Sequence, residues 1–405
     1  MSPQSHVRTK PVETDEELRV ANGLMAAVHA ADDSEARNWL FDLGGRYPGY
    51  RREHTRIAKL GEEIVSALRI ATDTMAIGES RLKLGGIGWV ATAPNRRKMG
   101  FCRLLMQDAM DYLARHGYHV SVLFGIPDFY HRFGFTSTLA EHTVSMDTVE
   151  AATFHSTLRL REARAAEAPV LQRLHAQCNG AAPGSLVRSA AHFVNRWNSW
   201  KTWYVLADAD GSPEAYFIAR PEGACMRIDD VGMAEPGLAA AVVSAAGALA
   251  SEGSFGQVRF YVPPLHPLAR YLLQFRSRHE TAVDRDAGGM MAFNNLPETL
   301  ECMIPEWESL LAASIAHESR TEATLIVSGR PYCVRCHRGA IDVIPQTGMN
   351  KVSLDQGQLM QLMMGYIYVD DVLAARRALV STEARLFLRS IFPKRAPYFW
   401  PFDRF

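Results

Sequence analysis

The chain lacks an excess of charge of either sign: 44 Lys and Arg stand against 44 Asp and Glu. A balanced chain carries no electrostatic footprint for nucleic acid or for an acidic membrane, so neither is expected as a partner. It also lacks a long apolar run. The longest, Gly237 to Ala250, is Ala-rich, contains Ser244 and is too short to span a bilayer. The opening Met1-Ser-Pro-Gln-Ser-His6 has no apolar core, so no export signal is read there and a cytoplasmic location is expected. Cysteine is scarce, six in 405 residues, and in that compartment free thiols are expected instead of disulfides.

Two spacings that look like cofactor sites do not hold up. Cys333-Val-Arg-Cys336-His337 spells the attachment pattern for haem c, but haem c is attached after export. A single CxxC also lacks the second pair of ligands that zinc needs, so neither haem nor metal is expected. Gly85-Gly86-Ile87-Gly88 precedes its strand, whereas a dinucleotide fingerprint follows one. Asp208-Ala-Asp210-Gly211 lacks the remaining ligands of a calcium loop and reads as a turn.

A length of 405 residues exceeds one ordinary core, and two or three domains are expected. His6–Val12 reads as an edge strand, Thr14-Asp-Glu-Glu17 as a capping box opening a helix to about His29, and Asp32–Leu43 as a second helix. Residues 54–60 and 62–77 read as strands joined by a hairpin. Asp73, Glu79 and Glu62 are acidic candidates beside an amine pocket, or solvated strand ends. A second start at Leu158–Arg164, followed by a helix over 165–178, echoes the first opening as a weak internal repeat. Its loop Met233-Ala-Glu-Pro-Gly237 has an acid and no Arg, so this copy is expected to be non-catalytic. After Asn294-Asn-Leu-Pro297 come an amphipathic helix, a strand meander over 322–344 and helices over 353–365 and 369–379.

The richest stretch is 87–135. The apolar strand Ile87-Gly-Trp-Val-Ala-Thr92 stops at Pro94, and the basic turn Arg96-Arg97-Lys98-Met99-Gly100 follows. A helix then carries Phe101, Leu104, Leu105, Ala109 and Leu113 on one face and stops at Gly117. Free N–H groups at its start, with cations beside them, make a site for an anion such as a pyrophosphate.

Arg97-Lys-Met-Gly100-Phe-Cys102 resembles the Arg/Gln-x-x-Gly-x-Gly/Ala loop of the GNAT superfamily of N-acetyltransferases, and Phe129-Tyr130-His-Arg-Phe-Gly134-Phe135 resembles the Tyr-x-x-x-Gly-Phe segment of the same fold. With its length and aromatic tail, the chain is most similar to the Eis-type (enhanced intracellular survival) acetyltransferases. That resemblance implies an α/β (α+β) fold of tandem GNAT-like mixed sheets followed by a sterol-carrier-like domain. The expected boundaries are 1–152 for the catalytic domain, 153–296 for a degenerate GNAT-like domain and 297–405 for the last. It implies acetyl-CoA as co-substrate, a primary amine or lysine acceptor, direct transfer in a ternary complex, and a homohexamer.

By the same resemblance, Val90, Ala91 and Thr92 meet the pantetheine, and Arg97, Lys98, Met99, Gly100, Phe101, Cys102 and Arg103 meet the pyrophosphate. Cys102 stands where the pattern has Gly or Ala, and is placed beside the pyrophosphate, away from the thioester. Tyr130 is the candidate general acid, since a phenol titrates at about 10 in water and is protonated at neutral pH. The tail Ala396-Pro-Tyr-Phe-Trp-Pro-Phe-Asp-Arg-Phe405 is too aromatic for a solvated end. The resemblance puts the Phe405 carboxylate in the active site as general base, with Asp403 and Trp400 at the substrate. The alternative for the tail is that it pins the last domain, and for the whole chain an idle acyl-CoA- or lipid-binding protein.

Overall fold

The computed structural model describes residues 7–29, 49–180, 182–197, 201–314 and 320–405. The helix expected over Asp32–Leu43 lies outside them. Three sheets organise the described chain.

The first is seven-stranded, in the order β1 (Val7–Pro11), β2 (Thr55–Leu60), β3 (Glu63–Ile77), β4 (Ser80–Thr92), β5 (Val120–Gly125), β14 (Gly288–Phe293) and β6 (Thr136–Leu139). The second is also seven-stranded: β8 (Arg159–Glu162), β9 (Thr202–Ala207), β10 (Pro213–Glu222), β11 (Cys225–Met233), β12 (Gln257–Phe260), β7 (Glu141–Asp147) and β13 (Arg278–Ala282). The two orders match place by place. In each, the fourth and fifth strands are parallel, β4 with β5 and β11 with β12, within an otherwise antiparallel sheet. The weak repeat in sequence is thus a repeat in structure.

The units also exchange a strand, which corrects the expected domain boundaries. β7 precedes residue 152 yet pairs with β12 and β13 in the second sheet. β14 falls before residue 296 yet pairs with β5 and β6 in the first. Neither sheet can be completed by a contiguous segment, because the place beside its parallel pair is filled from the other half of the chain.

Helix α1 (Asp15–His29) packs on one face of the first sheet, burying Ala21 and Met25 against Ile57, Ala67 and Ala91. Helix α2 (Phe101–Arg115) packs on the opposite face through Phe101, Leu105, Ala109 and Leu113. In the second unit, α3 (Ala168–Asn179) and α5 (Ala239–Glu252) take the corresponding roles, with the short α4 (Ala190–Asn195) following α3.

The third unit has a four-stranded sheet, β17 (Ala340–Ile344), β16 (Arg330–His337), β15 (Arg320–Val327) and β18 (Lys351–Leu354), covered by helices that include Ile304–Ala312, Gln356–Met364 and Thr382–Ile391. The helix expected from Ser353 begins at Gln356, because β18 runs to Leu354 and the Asp355 carboxylate accepts from Gln358 N–H as its cap. The core of this unit is continuous with Leu82, Leu84, Val120 and Val122 of the first sheet. Cys333 and Cys336 are both buried free thiols on β16. No helix among the described residues is long and apolar enough to cross a membrane.

Candidate active site

β4 and β5 are hydrogen-bonded as parallel neighbours only at Leu84–Val120, Gly85–Ser121 and Gly86–Val122. Beyond Gly86 they part. The register of β4 against β3 jumps there, from Arg69–Gly88 to Ala67–Ala91, and Trp89 takes φ +56°. This is a bulge, which bends the strand away from its neighbour. Ala93 N–H donates to Val65 O on β3 at 3.0 Å, so Ala91 and Ala93 turn their backbone groups inward while Val90 and Thr92 turn theirs into the opening. The expected pantetheine partners therefore divide. Val90 and Thr92 face the gap, whereas Ala91 faces β3, its carbonyl accepting from Ser66 Oγ at 2.7 Å. The Val90 carbonyl also lies 3.0 Å from His29 Nε2 at the end of α1, a partner the sequence reading missed.

At the far end of β4 the loop reverses hand twice, with φ +64° at Lys98 and +88° at Gly100. Gly100 has no side chain to cap α2. The first amide to bond back is Leu104, to Gly100 O at 3.2 Å, which leaves the amides of Phe101, Cys102 and Arg103 without an intrahelical acceptor. Arg97 and Lys98 are exposed, and among the described residues no carboxylate pairs with them or with Arg103. Arg96 differs, being tied to Glu63 at 2.6 Å. Outward amides, alternating backbone hand and two unpaired cations together make an anion nest. Met99 and Cys102 pack into the core beneath it, and Phe101 is buried there.

Tyr130 lies half-buried on the α2 face of β5. A Cβ on Gly125 would meet its ring at 2.5 Å and Leu123 at 2.9 Å, and Leu123 belongs to the α2 core. Burial pushes its phenol up to about 12, with the neighbouring Cys102 thiol adding to the rise. Cys102 and Tyr130 pack against the same core. Burial raises that thiol to about 11, so it is not a thiolate at neutral pH.

Phe405 occupies the opposite face. Cross-strand partners share a side, so Gly86 and Gly88 of β4 look the same way as Ala71 and Arg69 of β3, toward α1. A Cβ on Gly86 would stand 2.0 Å from the Phe405 ring, and one on Gly88 would stand 2.8 Å from its terminal oxygen. Gly85, facing the other way, would meet Leu113 of α2 at 2.3 Å. The Gly85–Gly88 run rejected as a nucleotide fingerprint is a seat for the last residue of the chain. Asp73 is half-buried on this same face. Glu62 and Glu79 are not there: Glu62 pairs with Lys59 on the β2–β3 hairpin, and Glu79 sits at the β3–β4 turn with its N–H on Glu306 of the third unit.

Two expected substrate contacts are corrected. Asp403 is fully buried in the second unit, held by Arg188 at 2.8 Å and 3.1 Å from His192, because a carboxylate withdrawn from water takes the cations within reach. Trp400 is fully buried in the second unit's core beside His175, His266 and Tyr398. Tyr398, Trp400 and Phe402 pack into the second unit's cores, and the Pro401–Asp403 turn lies on β11. No group of three or more His, Cys, Asp or Glu among the described residues is arranged to hold a metal.

Residues 9–138 match the acetyltransferase (GNAT) domain family. The chain is 25% identical over 346 residues to the N-acetyltransferase Eis of Mycobacterium tuberculosis, covering 78% of this chain and 80% of that one. Its fold is shared with a GCN5-related N-acetyltransferase from Anabaena variabilis (TM-score 0.75, 17% identity, 98% and 100% of the two chains). Eis1 from Mycobacterium abscessus has it too (TM-score 0.65, 14% identity, 98% and 100%). GNAT acetyltransferases take an acyl-CoA as co-substrate, which suits a strand opening that ends in an anion nest. Residues 9–138 are a GNAT acetyltransferase domain, and the chain that carries them is an acetyltransferase similar to Eis along most of its length.

Proposed function

We propose that the enzyme transfers acetyl from acetyl-CoA to a primary amine of a cationic small molecule or a lysine, directly and within a ternary complex. The observation that carries this reading is the placement of Tyr130 and Phe405 on opposite faces of the sheet at the β4–β5 opening. Pantetheine entering that opening along Val90 and Thr92 would bring its thioester between an acid and a base.

On the α1 face the Phe405 carboxylate takes a proton from the acceptor's ammonium. A free α-carboxylate has a pKa of about 3.5, so this transfer is uphill in water. Exclusion of water once acyl-CoA and acceptor fill the opening would narrow that gap, since burial disfavours both charged forms. The amine nitrogen then attacks the thioester carbon and gives up its second proton to solvent. The tetrahedral intermediate collapses with loss of the thiolate, and the Phe405 carboxylic acid returns the first proton to solvent. Tyr130 donates its proton to that sulfur on the α2 face and is reprotonated from solvent. A covalent acetyl-enzyme is not needed, and Cys102, protonated at neutral pH, is a poor candidate for one. Asp73 adds a second acid to the acceptor face, which suits a cationic substrate.

The test is release of CoA thiol from acetyl-CoA against a panel of cationic amines, with the full chain and one ending at Phe402 in parallel. Turnover by the full chain alone supports both the reaction and the terminal base. Equal turnover by both keeps the acetyltransferase and discards the base.

A further inference from the structure

The loop of the second unit that answers to Arg97–Gly100, Met233–Gly237, has an acid and no Arg, and the tail crosses this unit on its way to the opening in the first. Arg188, His192 and Arg196 recur every fourth residue around α4 and all three meet that tail. Arg188 grips the Asp403 carboxylate with two parallel bonds of 2.8 Å, from Nε and Nη2. His192 Nε2 lies 3.1 Å from the same carboxylate. The remaining Nη1 of Arg188 goes to Asp230, which also accepts from the Tyr216 hydroxyl at 3.0 Å. Arg196 reaches three successive carbonyls: Phe402 O, Asp403 O at 3.4 Å and Arg404 O at 3.3 Å. The Phe402 ring is held between these cations, 4.8 Å from the Arg188 guanidinium and 5.2 Å from that of Arg196. Arg404 then crosses the first sheet, over the Phe124 ring at 4.4 Å and paired with Glu141 at 2.9 Å. The next residue is Phe405 on Gly86 and Gly88.

A chain terminus is ordinarily the least ordered part of a protein. Here the last fixed points stand one and two residues from the reacting carboxylate. We propose that Arg188, His192 and Arg196 are positioning residues for acetyl transfer: the non-catalytic unit clasps the tail so that the Phe405 carboxylate is delivered to the opening in the first sheet. The inference rests on the terminal carboxylate being the base. It gives the second copy of the fold a function in catalysis without a ligand of its own. Catalysis by a positioned group tolerates little displacement; a shift of about 1 Å costs on the order of 100-fold in rate.

The experiment compares the full chain with Asp403→Asn, which keeps the shape and removes the charge, and with Arg196→Met, which keeps the stem and removes the three bonds. Each is made both in the full chain and in a chain ending at Arg404. In the full chain, kcat should fall about 10- to 100-fold, with KM for acetyl-CoA within about twofold. In the chain ending at Arg404, whose residual rate is the baseline, neither substitution should cost anything further, since a residue that acts only through Phe405 has nothing left to position. Equal losses in both backgrounds, or full kcat in the substituted full chain, overturn the inference. Undiminished turnover by the unsubstituted chain ending at Arg404 instead overturns the terminal-base reading beneath it.

Discussion

The ring of Phe405 fills the space that a side chain at Gly86 would need: a Cβ there would lie 2.0 Å from its Cζ. A patch on the face of the first sheet, at its central strand β4, has been left bare for a residue more than three hundred positions away. Under the proposed function the tail is part of the active site's wall, and the first domain alone lacks it.

Gly86→Ala and Gly88→Ala should each expel the terminal residue from this seat. The expected result is a fall in kcat of at least about tenfold, on the scale of a displaced catalytic group, with acyl-CoA affinity little changed. Gly23→Ala in α1, where an added Cβ meets nothing within 4 Å, is the control. It should retain activity and raise stability by roughly 0.5–1 kcal/mol through helix propensity. Steady-state kinetics and thermal unfolding of the three proteins decide this.

Tyr130→Phe should lower kcat by about 10²- to 10⁴-fold, the usual worth of a general acid, without weakening acetyl-CoA binding. Because burial holds the phenol up to about 12, it stays protonated across the whole working range. Any alkaline fall in rate below about pH 10 must then come from another group. A pH–rate profile whose alkaline limb survives in Tyr130→Phe would agree with this; one whose limb vanishes would not.

Arg97→Ala and Lys98→Ala should raise KM for acetyl-CoA by a few-fold each, and the effect should shrink with added salt because both cations are exposed. Inserting one residue between Lys98 and Gly100 should do more harm than either. The outward amides of Phe101 to Arg103 are main-chain donors that no side-chain change removes but a change in loop length displaces. Isothermal titration with CoA separates the two effects.

Stability should fall as the pH drops from 6.5 toward 4. Desolvation holds His54, His142 and His266 neutral, each down to about 4. The unfolded chain takes up protons at about 6.5, so below that value it binds more protons than the folded one and gains relative stability until the folded histidines titrate. A second loss should follow below pH 4. Burial disfavours the Asp229 carboxylate, but Lys201, Arg227 and Arg220 outweigh it and hold it down to about 2. That contribution is complete above about pH 4 and disappears as the pH falls through 2. Melting temperatures at pH 7.5, 5, 4 and 2.5 test both steps; an unchanged value between 7.5 and 4 would refute the first.

Much of the first unit was legible in the sequence because its signals are local. The loop from Arg97 to Cys102 depends on one glycine in a left-handed turn and on a helix start, and both are written within a few residues. Tyr130 could be found because a short aromatic segment follows its strand at a readable distance. The repeat at Leu158 was visible as a second strand-then-helix opening, and the missing arginine in its loop is the ground for expecting that copy to be non-catalytic.

The pairing of distant segments was not legible. β7 and β14 each read as ordinary strands, and nothing within them says that each completes the other unit's sheet; that choice depends on which edge is open once both sheets exist. The same holds for Gly86 and Gly88, which in sequence are only a flexible run and in the fold are room for Phe405. Composition marked the tail as too aromatic for solvent, and it does dock. Whether Asp403 and Trp400 face the substrate or the protein could not be read, because burial is a property of surroundings gathered from the whole chain. Arg188 and His192, more than two hundred residues upstream, take Asp403 out of the pocket. The sequence by itself determined the local chemistry of the opening in the first sheet, since turns, caps and strand periods need only neighbours. Tertiary structure alone decided which carboxylate reaches that opening, since only the folded chain brings the second unit's cations and the last residue together.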